Sequence, residues 1–325
     1  MNGDPQLALP GLIPDATAEW VWCEESEEVE NETEFDHRAV MKAEIVAALA
    51  PREGGLYLDA TLGRGGHASG LLDAAPCRVI GIDRDMDALT TTERRLTPYG
   101  DRVVFVHSNF ASAAEALQDR GISQVDGACA DLGVSSPQLD DPARGMSFRR
   151  EGPIDMRMDL SRGDTALDLI DRLSDDGLAD VLYRYGEEHR SRRIARSIKR
   201  ALADGELKTT LDLRRAIVRA VGPVRVGGVD PATRTFQALR IAVNAELDEL
   251  AALVAALGKL VAPGGVVAIL SFHSLEDRIV KRAFQDTSVW ETRWKKPRVA
   301  SDDETAENPR ARSAKLRAAR RVPEK

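Results

Sequence analysis

Short apolar runs alternate with amphipathic stretches along most of the chain. The first stretch, with Val40, Met41, Ile45 and Leu49 at helical spacing, predicts a helix that ends before Pro51. Apolar runs that predict strands follow at residues 56–59, 79–83, 103–106, 125–131 and 266–272. Alternation of strands and helices is typical of α/β proteins, so we predict a Rossmann-like fold with a mainly parallel, doubly wound sheet.

The fourth and fifth predicted strands are separated by residues 132–265, far more than the dozen or so residues that a crossover connection needs. A second unit must therefore be inserted between them. From about residue 165 to residue 221, apolar side chains recur at helical spacing, so the insertion is predicted to be helical. We divide the chain into an acidic tail (1–36), a discontinuous sheet domain (37–136 and 238–325) and an inserted helical domain (137–237).

Most of the negative charge of the protein lies in its first 36 residues. They hold 11 of the 53 acidic side chains and none of the 45 basic ones, so the rest of the chain has a net charge of +3 although the whole carries −8. A charged segment without apolar periodicity is predicted to be disordered. The alternative is an autoinhibitory segment that mimics nucleic-acid phosphates over a basic cleft.

Cysteine content and hydropathy narrow the class of protein further. The three cysteines, Cys23, Cys77 and Cys129, are odd in number and lack metal-ligand spacing, so we expect neither a disulfide framework nor a metal site. No stretch approaches the roughly 18 apolar residues of a membrane-spanning helix, and the N-terminus lacks the features of a secretory signal. We therefore expect a soluble, cytoplasmic protein without membrane contact.

A glycine-rich turn follows the first predicted strand. Gly63, Gly65 and Ala68 match the G-x-G-x-x-G/A spacing, which lets the backbone approach a nucleotide ligand closely. Asp83 ends the second strand, where a carboxylate can accept hydrogen bonds from both ribose hydroxyls of an adenosine. The alternative is that the glycines serve only the turn and that Asp83 caps the next helix. The pattern does not separate S-adenosylmethionine from NAD.

The loop after the fourth strand argues against a dehydrogenase. Residues 131–141 read Asp-Leu-Gly-Val-Ser-Ser-Pro-Gln-Leu-Asp-Asp, a polar loop at the carboxyl edge of the predicted sheet. Ligands of such folds bind at this edge. Neither a Tyr-x-x-x-Lys motif nor a His/Arg pair of the kind that a dehydrogenase uses occurs around it.

Five motifs, in this order, resemble those of the small-subunit ribosomal RNA methyltransferase H family. They are Gly63-Arg-Gly-Gly-His67-Ala, the loop that begins at Asp131, Gly152-Pro-Ile-Asp-Met-Arg-Met-Asp159, Pro231-Ala-Thr-Arg-Thr-Phe-Gln-Ala-Leu-Arg240, and Ser271-Phe-His-Ser-Leu-Glu-Asp-Arg-Ile-Val-Lys281. The resemblance covers residues 37 to about 321. The chain departs from the family at Ala39, where a proline is usual, and in its long acidic extension.

The resemblance implies a class I methyltransferase that transfers the methyl of S-adenosylmethionine to N4 of a P-site cytosine in 16S ribosomal RNA. Its partner would be that RNA or the small ribosomal subunit. Matching of the motifs puts the implied cofactor contacts at Gly65, Gly66, His67, Asp83, Phe110, Asp131 and Gln138. For Phe110, packing in the core is an equally good interpretation, since aromatic side chains commonly fill cores.

A cytosine amine is a poor nucleophile because its lone pair is delocalised into the ring. An acceptor for one N–H would localise the lone pair as the new bond forms. Asp131 is our candidate, with Ser135 and Ser136 as secondary candidates. The loop differs from the Asp/Asn-Pro-Pro-aromatic motif of other amine methyltransferases, so a role of Asp131 toward the cofactor alone stays open. Methylation at C5 would need an activated cysteine, and Cys129 lies inside an apolar strand.

Contacts to RNA are expected from charged side chains outside the cofactor motifs. Asp155, Arg157 and Asp159 are candidates for the cleft entrance, with pairing of these ions as the alternative. His273 is a candidate contact, and Ser274 is a candidate helix cap. Basic residues are concentrated in two places, which predicts RNA contact by the inserted domain and by the C-terminus. These residues are Arg184, Arg190, Arg192, Arg193, Arg196, Lys199 and Arg200, and Arg310, Arg312, Lys315, Arg317, Arg320 and Arg321.

Two other classes of protein stay open from the sequence. One is an NAD-dependent or small-molecule-modifying enzyme on a Rossmann fold. The other is an RNA-binding module that has lost its cofactor, against which the intact Gly65, Gly66 and Asp83 speak. A homodimer is compatible with every one of these classes.

Overall fold

The computed structural model describes residues 39–223 and 230–323, so the predicted acidic tail lies outside the described residues. The helices are α1 (Lys42–Leu49), α2 (Gly66–Ala74), α3 (Met86–Leu96), α4 (Ala113–Gln118), α5 (Ser136–Asp140), α6 (Ala166–Arg172), α7 (Asp175–Gly186), α8 (Ser191–Ala203), α9 (Thr210–Val221), α10 (Thr233–Val243), α11 (Glu246–Leu260), α12 (Ser274–Ala283) and α13 (Asp302–Glu307). The strands are β1 (Leu56–Asp59), β2 (Arg78–Asp83), β3 (Val103–His107), β4 (Val125–Asp131), β5 (Val261–Ser271), β6 (Trp290–Thr292) and β7 (Lys315–Arg321). No helix in these two ranges is long and apolar enough to cross a bilayer.

The strands of the described chain form one sheet in the order β3-β2-β1-β4-β5-β7-β6. β1 pairs in parallel with both β2 and β4, so the strand order reverses between β1 and β4. β5 joins β4 in parallel, whereas β7 runs antiparallel between β5 and β6. The predicted α/β class and mainly parallel, doubly wound sheet are confirmed. Ligands of such sheets bind outside the carboxyl ends of the strands, at the point where the order reverses.

Side chains of the central strands alternate between the two faces of the sheet. On one face, Leu58 and Ile80 are buried against α4 and α11. On the other, Tyr57 and Val79 are buried against α1 and α2. Full burial of a large apolar side chain contributes about 1.5–3 kcal/mol. Packing on both faces therefore stabilises the sheet, which positions the loops at its carboxyl edge.

The prediction misses the two strands β6 and β7. β7 is rich in arginine, which masks its strand pattern, yet two of these arginines stabilise the fold. Arg317 donates from Nε to Asp277 Oδ1 at 2.6 Å, and Arg321 donates from Nε to the carbonyl of Gly258 at 2.6 Å. The prediction that Arg317 and Arg321 contact RNA is therefore wrong, because their guanidinium groups bind other parts of the protein.

The predicted helical insertion is present as α6 to α9, which pack with α10 around a third core. Ile170, Leu178, Ile198 and Leu213 are fully buried in it together with Leu239 of α10. The predicted boundary at residue 237 falls inside α10, because this helix also contributes to the core of the insertion. The division into domains stays a prediction.

The start of α12 differs from the prediction. His273, not Ser274, is the N-cap: its Nδ1 accepts the backbone N–H of Glu276, and the Glu276 carboxylate accepts the backbone N–H of His273. Ser274 is the first helical residue and donates its hydroxyl to Glu187 at the end of α7. Serine is a preferred cap and histidine is not among the preferred ones, which explains the error of one position.

Candidate active site

Three aspartates end neighbouring strands at one edge of the sheet: Asp59 on β1, Asp83 on β2 and Asp131 on β4. Asp83 and Asp131 face one cleft, whose volume of about 1080 Å³ includes space open to solvent. The residues of the predicted site that line it are Gly66, His67, Asp83, Phe110, Asp131, Ser135 and Gln138. Gly65 is not in this lining, and the Ser136 side chain is outside the described part of the chain. The functional roles of all these residues stay predictions.

Asp83 anchors the glycine-rich turn and also faces the cleft. Its Oδ2 accepts the backbone N–H of Gly63 at 2.7 Å, and its Oδ1 accepts that of Asp85 at 2.9 Å. Burial raises the pKa of Asp83, and the two N–H groups oppose this rise only in part. Asp85 caps α3, so the alternative role of Asp83 as a helix cap is wrong. Each carboxylate oxygen can accept a further hydrogen bond, which leaves acceptors for a ligand.

Gly65 precedes α2 with a φ of 73°, in the left-handed region that favours glycine. A Cβ at this position would lie 2.7 Å from Thr92 Cγ2 and 2.9 Å from Leu96 Cδ1, both on α3. Glycine is therefore required here for the packing of α3 against the turn. A contact of Gly65 with the cofactor stays a prediction.

Substitution Gly65→Ala is expected to lower the free energy of unfolding by about 2–5 kcal/mol. Left-handed backbone costs a non-glycine residue about 1–2 kcal/mol, and overpacking adds about 1–3 kcal/mol. Gly54→Ala is a matched control, since Gly54 has a φ of 70° but open space around its Cβ position. Urea unfolding measures the loss of unfolding free energy in both variants, and we expect the larger loss in Gly65→Ala. Equal losses in the two variants would show that the packing of α3 against Gly65 does not require glycine.

Phe110 lines the cleft and packs against the core at the same time. The guanidinium of Arg84 lies 5.2 Å from the centre of its ring. Arg84 is buried, pairs with Glu249 and donates to the carbonyl of Asn244 at 3.3 Å. Stacking of a cation on an aromatic face is favourable, so the ring is held as a fixed wall. Sequence reasoning missed Arg84, although it directly follows Asp83.

Gln138 supports the loop after β4 through both ends of its amide. Its Oε1 accepts the Ser135 N–H at 3.0 Å, and its Nε2 donates to Asp85 Oδ2 at 2.8 Å. The Ser135 hydroxyl in turn caps α5. Arg144, which is buried, donates to the same Asp85 oxygen at 3.0 Å. Gln138 and Ser135 therefore hold the loop in place, and a direct contact of either with the cofactor or the base stays a prediction.

His67 and Asp131 form a buried pair in the cleft wall. His67 is 4% exposed, and its Nε2 lies 3.3 Å from Asp131 Oδ2. Burial lowers the pKa of His67, but the hydrogen bond and charge of Asp131, with the charge of Asp59, outweigh this effect and raise it. The Asp131 backbone N–H donates to Thr61 Oγ1 at 2.6 Å, which fixes the end of β4. The Asp131 carboxylate thus faces the cleft with an imidazole behind it.

The charged residues predicted for the cleft entrance are paired with other side chains. Arg157 binds Asp155 at two points, with Nε and Nη2 each 2.8 Å from a carboxylate oxygen. Asp159 accepts hydrogen bonds from Ser161 and Arg162. None of Asp155, Arg157 and Asp159 lines the cleft, so the ion-pair alternative is confirmed. Met158, which lies between them in the sequence, lines the cleft instead.

A C-terminal segment borders the other side of the cleft. Asn308 and Arg310 line it. The Nη2 of Arg310 donates to both carboxylate oxygens of Asp140 at 2.9 Å, and the two side chains are 35% and 54% exposed. Glu304, on α13, accepts the backbone N–H of Met41 at 2.7 Å. The segment is therefore tied to the start of α1 and to the end of α5.

Glu246, His273 and Glu276 bring possible metal ligands within 4.8 Å of one another in the described ranges. However, Arg240 binds Glu246 at two points, 2.8 Å each, and Glu276 accepts the Phe272 N–H at 2.8 Å. A cation here would be repelled by the guanidinium, so we assign no metal to this cluster.

Comparison with known proteins identifies relatives over nearly the whole chain. The model of the MraW methylase family matches residues 34–322. A protein named ribosomal RNA small subunit methyltransferase H from Sorangium cellulosum is 65% identical over 88% of this chain and 91% of that protein. Proteins of the same name from Geotalea uraniireducens and from a Nostoc species are 45% and 46% identical, over 89% of this chain and 100% and 94% of theirs. The strand order of the sheet is that of a Rossmann-like class I methyltransferase. From the family match and these relatives, the chain belongs to the MraW methylase family.

Proposed function

We propose that this protein is a 16S ribosomal RNA (cytosine-N4) methyltransferase that uses S-adenosylmethionine. The observation that carries the proposal is the placement of Asp83, His67 and Asp131 around one cleft in a chain of the MraW methylase family. The relatives' name supports small-subunit ribosomal RNA as the substrate class. The exocyclic amine of cytosine as the target atom is what the resemblance to the family implies, and the acceptor that Asp131 offers in the cleft is compatible with it.

The cleft residues fit an adenosine-containing sulfonium. Asp83 has free acceptor lone pairs at the end of β2 for ribose hydroxyls. Phe110 and Met158 supply apolar wall for a base, while Asp131 and Asp83 supply negative charge toward a cation. Bound S-adenosylmethionine supplies an electrophilic methyl group. The protein's main task is then to hold the acceptor nitrogen at about 3–3.5 Å from that methyl.

Methylation on nitrogen rather than on carbon is supported by the surroundings of the cysteines. Cys129 is 2% exposed within β4, and burial raises the pKa of its thiol well above the ordinary value. A thiol in this state is not a nucleophile at neutral pH. No cysteine belongs to the described lining of the cleft, whereas Asp131 does. Asp131 can accept an N–H of the amine, which localises the nitrogen lone pair as the new bond forms.

RNA is expected to reach the cleft over basic side chains of the insertion. Most of the predicted basic residues on α7 and α8 are exposed, including Arg192, Arg193 and Arg196. Lys199 instead donates to the carbonyls of Ile170 and Asp171, where it caps α6. Since a base inside a stack is out of reach of such a cleft, the target cytosine must be turned out of its strand. A ribosomal RNA substrate would place the protein in the cytoplasm.

Labelled methyl transfer tests the proposal directly. Purified protein is incubated with S-adenosylmethionine labelled in its methyl group and with small-subunit RNA, naked or assembled into subunits, and the RNA is digested to nucleosides. We expect label in N4-methylcytidine. Calorimetry with S-adenosylmethionine and NAD addresses the alternatives: binding of NAD alone would favour a dehydrogenase, and binding of neither would favour an RNA-binding module without cofactor.

Arg310 is expected to bind a phosphate of the substrate at the edge of the cleft. Substitution Arg310→Ala should weaken RNA binding about fivefold. It should also reduce the slope of the logarithm of the binding constant against the logarithm of salt concentration by about one, because one fewer counterion is released. Asp140→Asn should strengthen binding, because it releases the arginine from its partner. Arg52→Ala is the control, since Arg52 is exposed and pairs with Asp126 at the opposite edge of the sheet. Filter binding at several salt concentrations measures the affinity of all three variants for RNA. Unchanged affinity in both Arg310→Ala and Asp140→Asn would exclude this contact.

A further inference from the structure

We propose that Met158 packs against the adenine of the cofactor and that Asn244 is the positioning residue that holds Met158 in the cleft. The proposal rests on the proposed function and extends it to two residues outside the predicted site. Met158 lines the cleft, whereas Asn244, at the end of α10, is outside its described lining. Asn244 therefore acts on the cofactor through Met158.

Both peptide groups of Met158 are held by buried side chains. Its N–H donates to Asn244 Oδ1 at 2.8 Å, and its carbonyl accepts a hydrogen bond from Arg144 Nη2 at 2.6 Å. Asn244 is 8% exposed and Arg144 is 6% exposed. Loss of one partner of a buried hydrogen bond leaves the other unsatisfied, which is costly. The backbone of Met158 is thus fixed on both sides, and with it the point from which the side chain enters the cleft.

The chain just before Met158 has a strained backbone that the same two residues hold. Met156 has a φ of 65°, in the left-handed region that is unfavourable for a residue with a Cβ. Asn244 Nδ2 donates to the Met156 carbonyl at 2.8 Å, and the Arg144 carbonyl accepts the Met156 N–H at 3.0 Å. Strained backbone that the surrounding structure maintains is typical of functional sites. The strain points to a function for the position of Met158.

The chemistry of the Met158 side chain suits a flat aromatic ligand. The charged neighbours Arg157 and Asp159 are ion-paired within the same segment, and neither belongs to the described lining of the cleft. Contacts of a thioether with an aromatic ring are favourable, and the unbranched methionine chain adapts to the shape of its partner. Adenine is the aromatic part of S-adenosylmethionine.

Met158 is tied to the segment that follows Asp83, the candidate ribose ligand. The guanidinium that holds the Met158 carbonyl also donates to Asp85 Oδ2 at 3.0 Å. The backbone carbonyl of Asn244 accepts a hydrogen bond from Arg84 Nη1 at 3.3 Å. Because adenine is joined directly to the ribose, a wall that is bound to the residues after Asp83 lies on the adenine side of the cofactor.

The same hydrogen bonds also support the second apolar wall of the cleft. Arg84, which binds the Asn244 carbonyl, lies 5.2 Å from the centre of the Phe110 ring. Asn244 thus connects the supports of Phe110 and Met158, and both of these side chains line the cleft. Their relative position is therefore set by one buried network, which preorganises the cleft for an aromatic base.

Calorimetry with S-adenosylhomocysteine tests the contact of Met158 with adenine. Substitution Met158→Ala is expected to raise the dissociation constant about tenfold, because apolar contacts with the ligand are lost. Met158→Leu, which nearly conserves the volume, should stay within about twofold of the wild type. Filter binding of RNA to each protein saturated with S-adenosylhomocysteine should give unchanged affinities. A loss of RNA affinity in Met158→Ala with normal binding of S-adenosylhomocysteine would assign Met158 to the target base and overturn the proposal.

A double-mutant cycle tests the positioning role of Asn244. Asn244→Ala alone is expected to weaken binding of S-adenosylhomocysteine about fivefold, and in the Met158→Ala background it should have little further effect, because coupled residues are not additive. A merely structural role would give additive losses. Gln237→Ala is the matched control, since this amide, also on α10, donates to the Tyr185 carbonyl at 3.4 Å and is outside the described lining of the cleft. Its affinity should equal that of the wild type.

Additive losses in the double variant would overturn the role of Asn244, and unchanged affinity in Met158→Ala would overturn the adenine contact. In both cases methyl transfer to cytosine would stand. A wild type that binds no S-adenosylhomocysteine would overturn the proposed function and this inference together, whereas methyl transfer to another RNA atom would overturn the proposed function alone. Should Asn244→Ala not fold, Asn244→Ser takes its place in the cycle, since serine is too short to hold the peptide groups of both Met156 and Met158.

Discussion

Substitution Asp131→Asn is expected to slow single-turnover methyl transfer about 100-fold or more, with a much smaller change in cofactor affinity. A positioned proton acceptor typically contributes about 10²–10⁴ to the rate. Asparagine keeps the size of the side chain but removes the charge that faces the cleft and that holds His67 at 3.3 Å. Rapid mixing of RNA with protein saturated in S-adenosylmethionine measures the rate, and calorimetry measures the affinity.

The pair of measurements separates the two roles open for Asp131. If Asp131 serves the cofactor alone, its loss would raise the dissociation constant while the rate at saturation stays near that of the wild type. Asp126→Asn controls for removal of a carboxylate from β4, because Asp126 accepts the Leu56 N–H at the far end of this strand. A normal saturated rate in Asp131→Asn would exclude it as proton acceptor.

Substitution Asp83→Ala is expected to weaken binding of S-adenosylmethionine more than tenfold. Hydrogen bonds to a charged acceptor contribute about 1.5–3 kcal/mol each, and a tenfold change corresponds to about 1.4 kcal/mol. However, Asp83 also holds the N–H groups of Gly63 and Asp85. A weaker complex alone would therefore not prove a ribose contact, since the turn itself would be disturbed.

A ligand that lacks a ribose hydroxyl resolves this ambiguity. Calorimetry compares S-adenosylhomocysteine with its 2′-deoxy analogue on the wild type and on Asp83→Ala. We expect the wild type to prefer the hydroxylated ligand and the variant to bind both alike. An unchanged preference in the variant would refute the ribose role, whatever the loss of overall affinity.

The alternation of apolar runs was sufficient to predict the parallel part of the sheet and the helical insertion. The carboxyl ends of neighbouring parallel strands meet at one edge, so the meeting of Asp83 and Asp131 in one cleft followed from the strands that they end. The period of the pattern carries this information because burial is periodic along each element. β7 is rich in arginine and does not show the apolar periodicity of a buried strand. Its arginines can be accommodated in the sheet because they pair with residues distant in sequence, such as Asp277.

Contacts between distant residues account for most of what the sequence did not reveal. Arg310 meets Asp140 across 170 positions of sequence, and Arg84 meets the carbonyl of Asn244 across 160. The sequence does not show which residue a single arginine pairs with, because its charge attracts any acidic side chain or carbonyl that the fold brings near it. Burial of Asp59 is likewise invisible in the sequence, since a strand-ending aspartate is more often a solvated residue.

Mass spectrometry of ribosomal RNA nucleosides, from cells with and without the gene, tests the central claim most directly. The claim is that this chain methylates the exocyclic amine of a small-subunit cytosine. We expect N4-methylation of the small-subunit RNA to disappear with the gene and to return with the wild-type copy but not with Asp131→Asn. Unchanged N4-methylation, or loss of a methyl from C5 or from a ribose instead, would contradict the account.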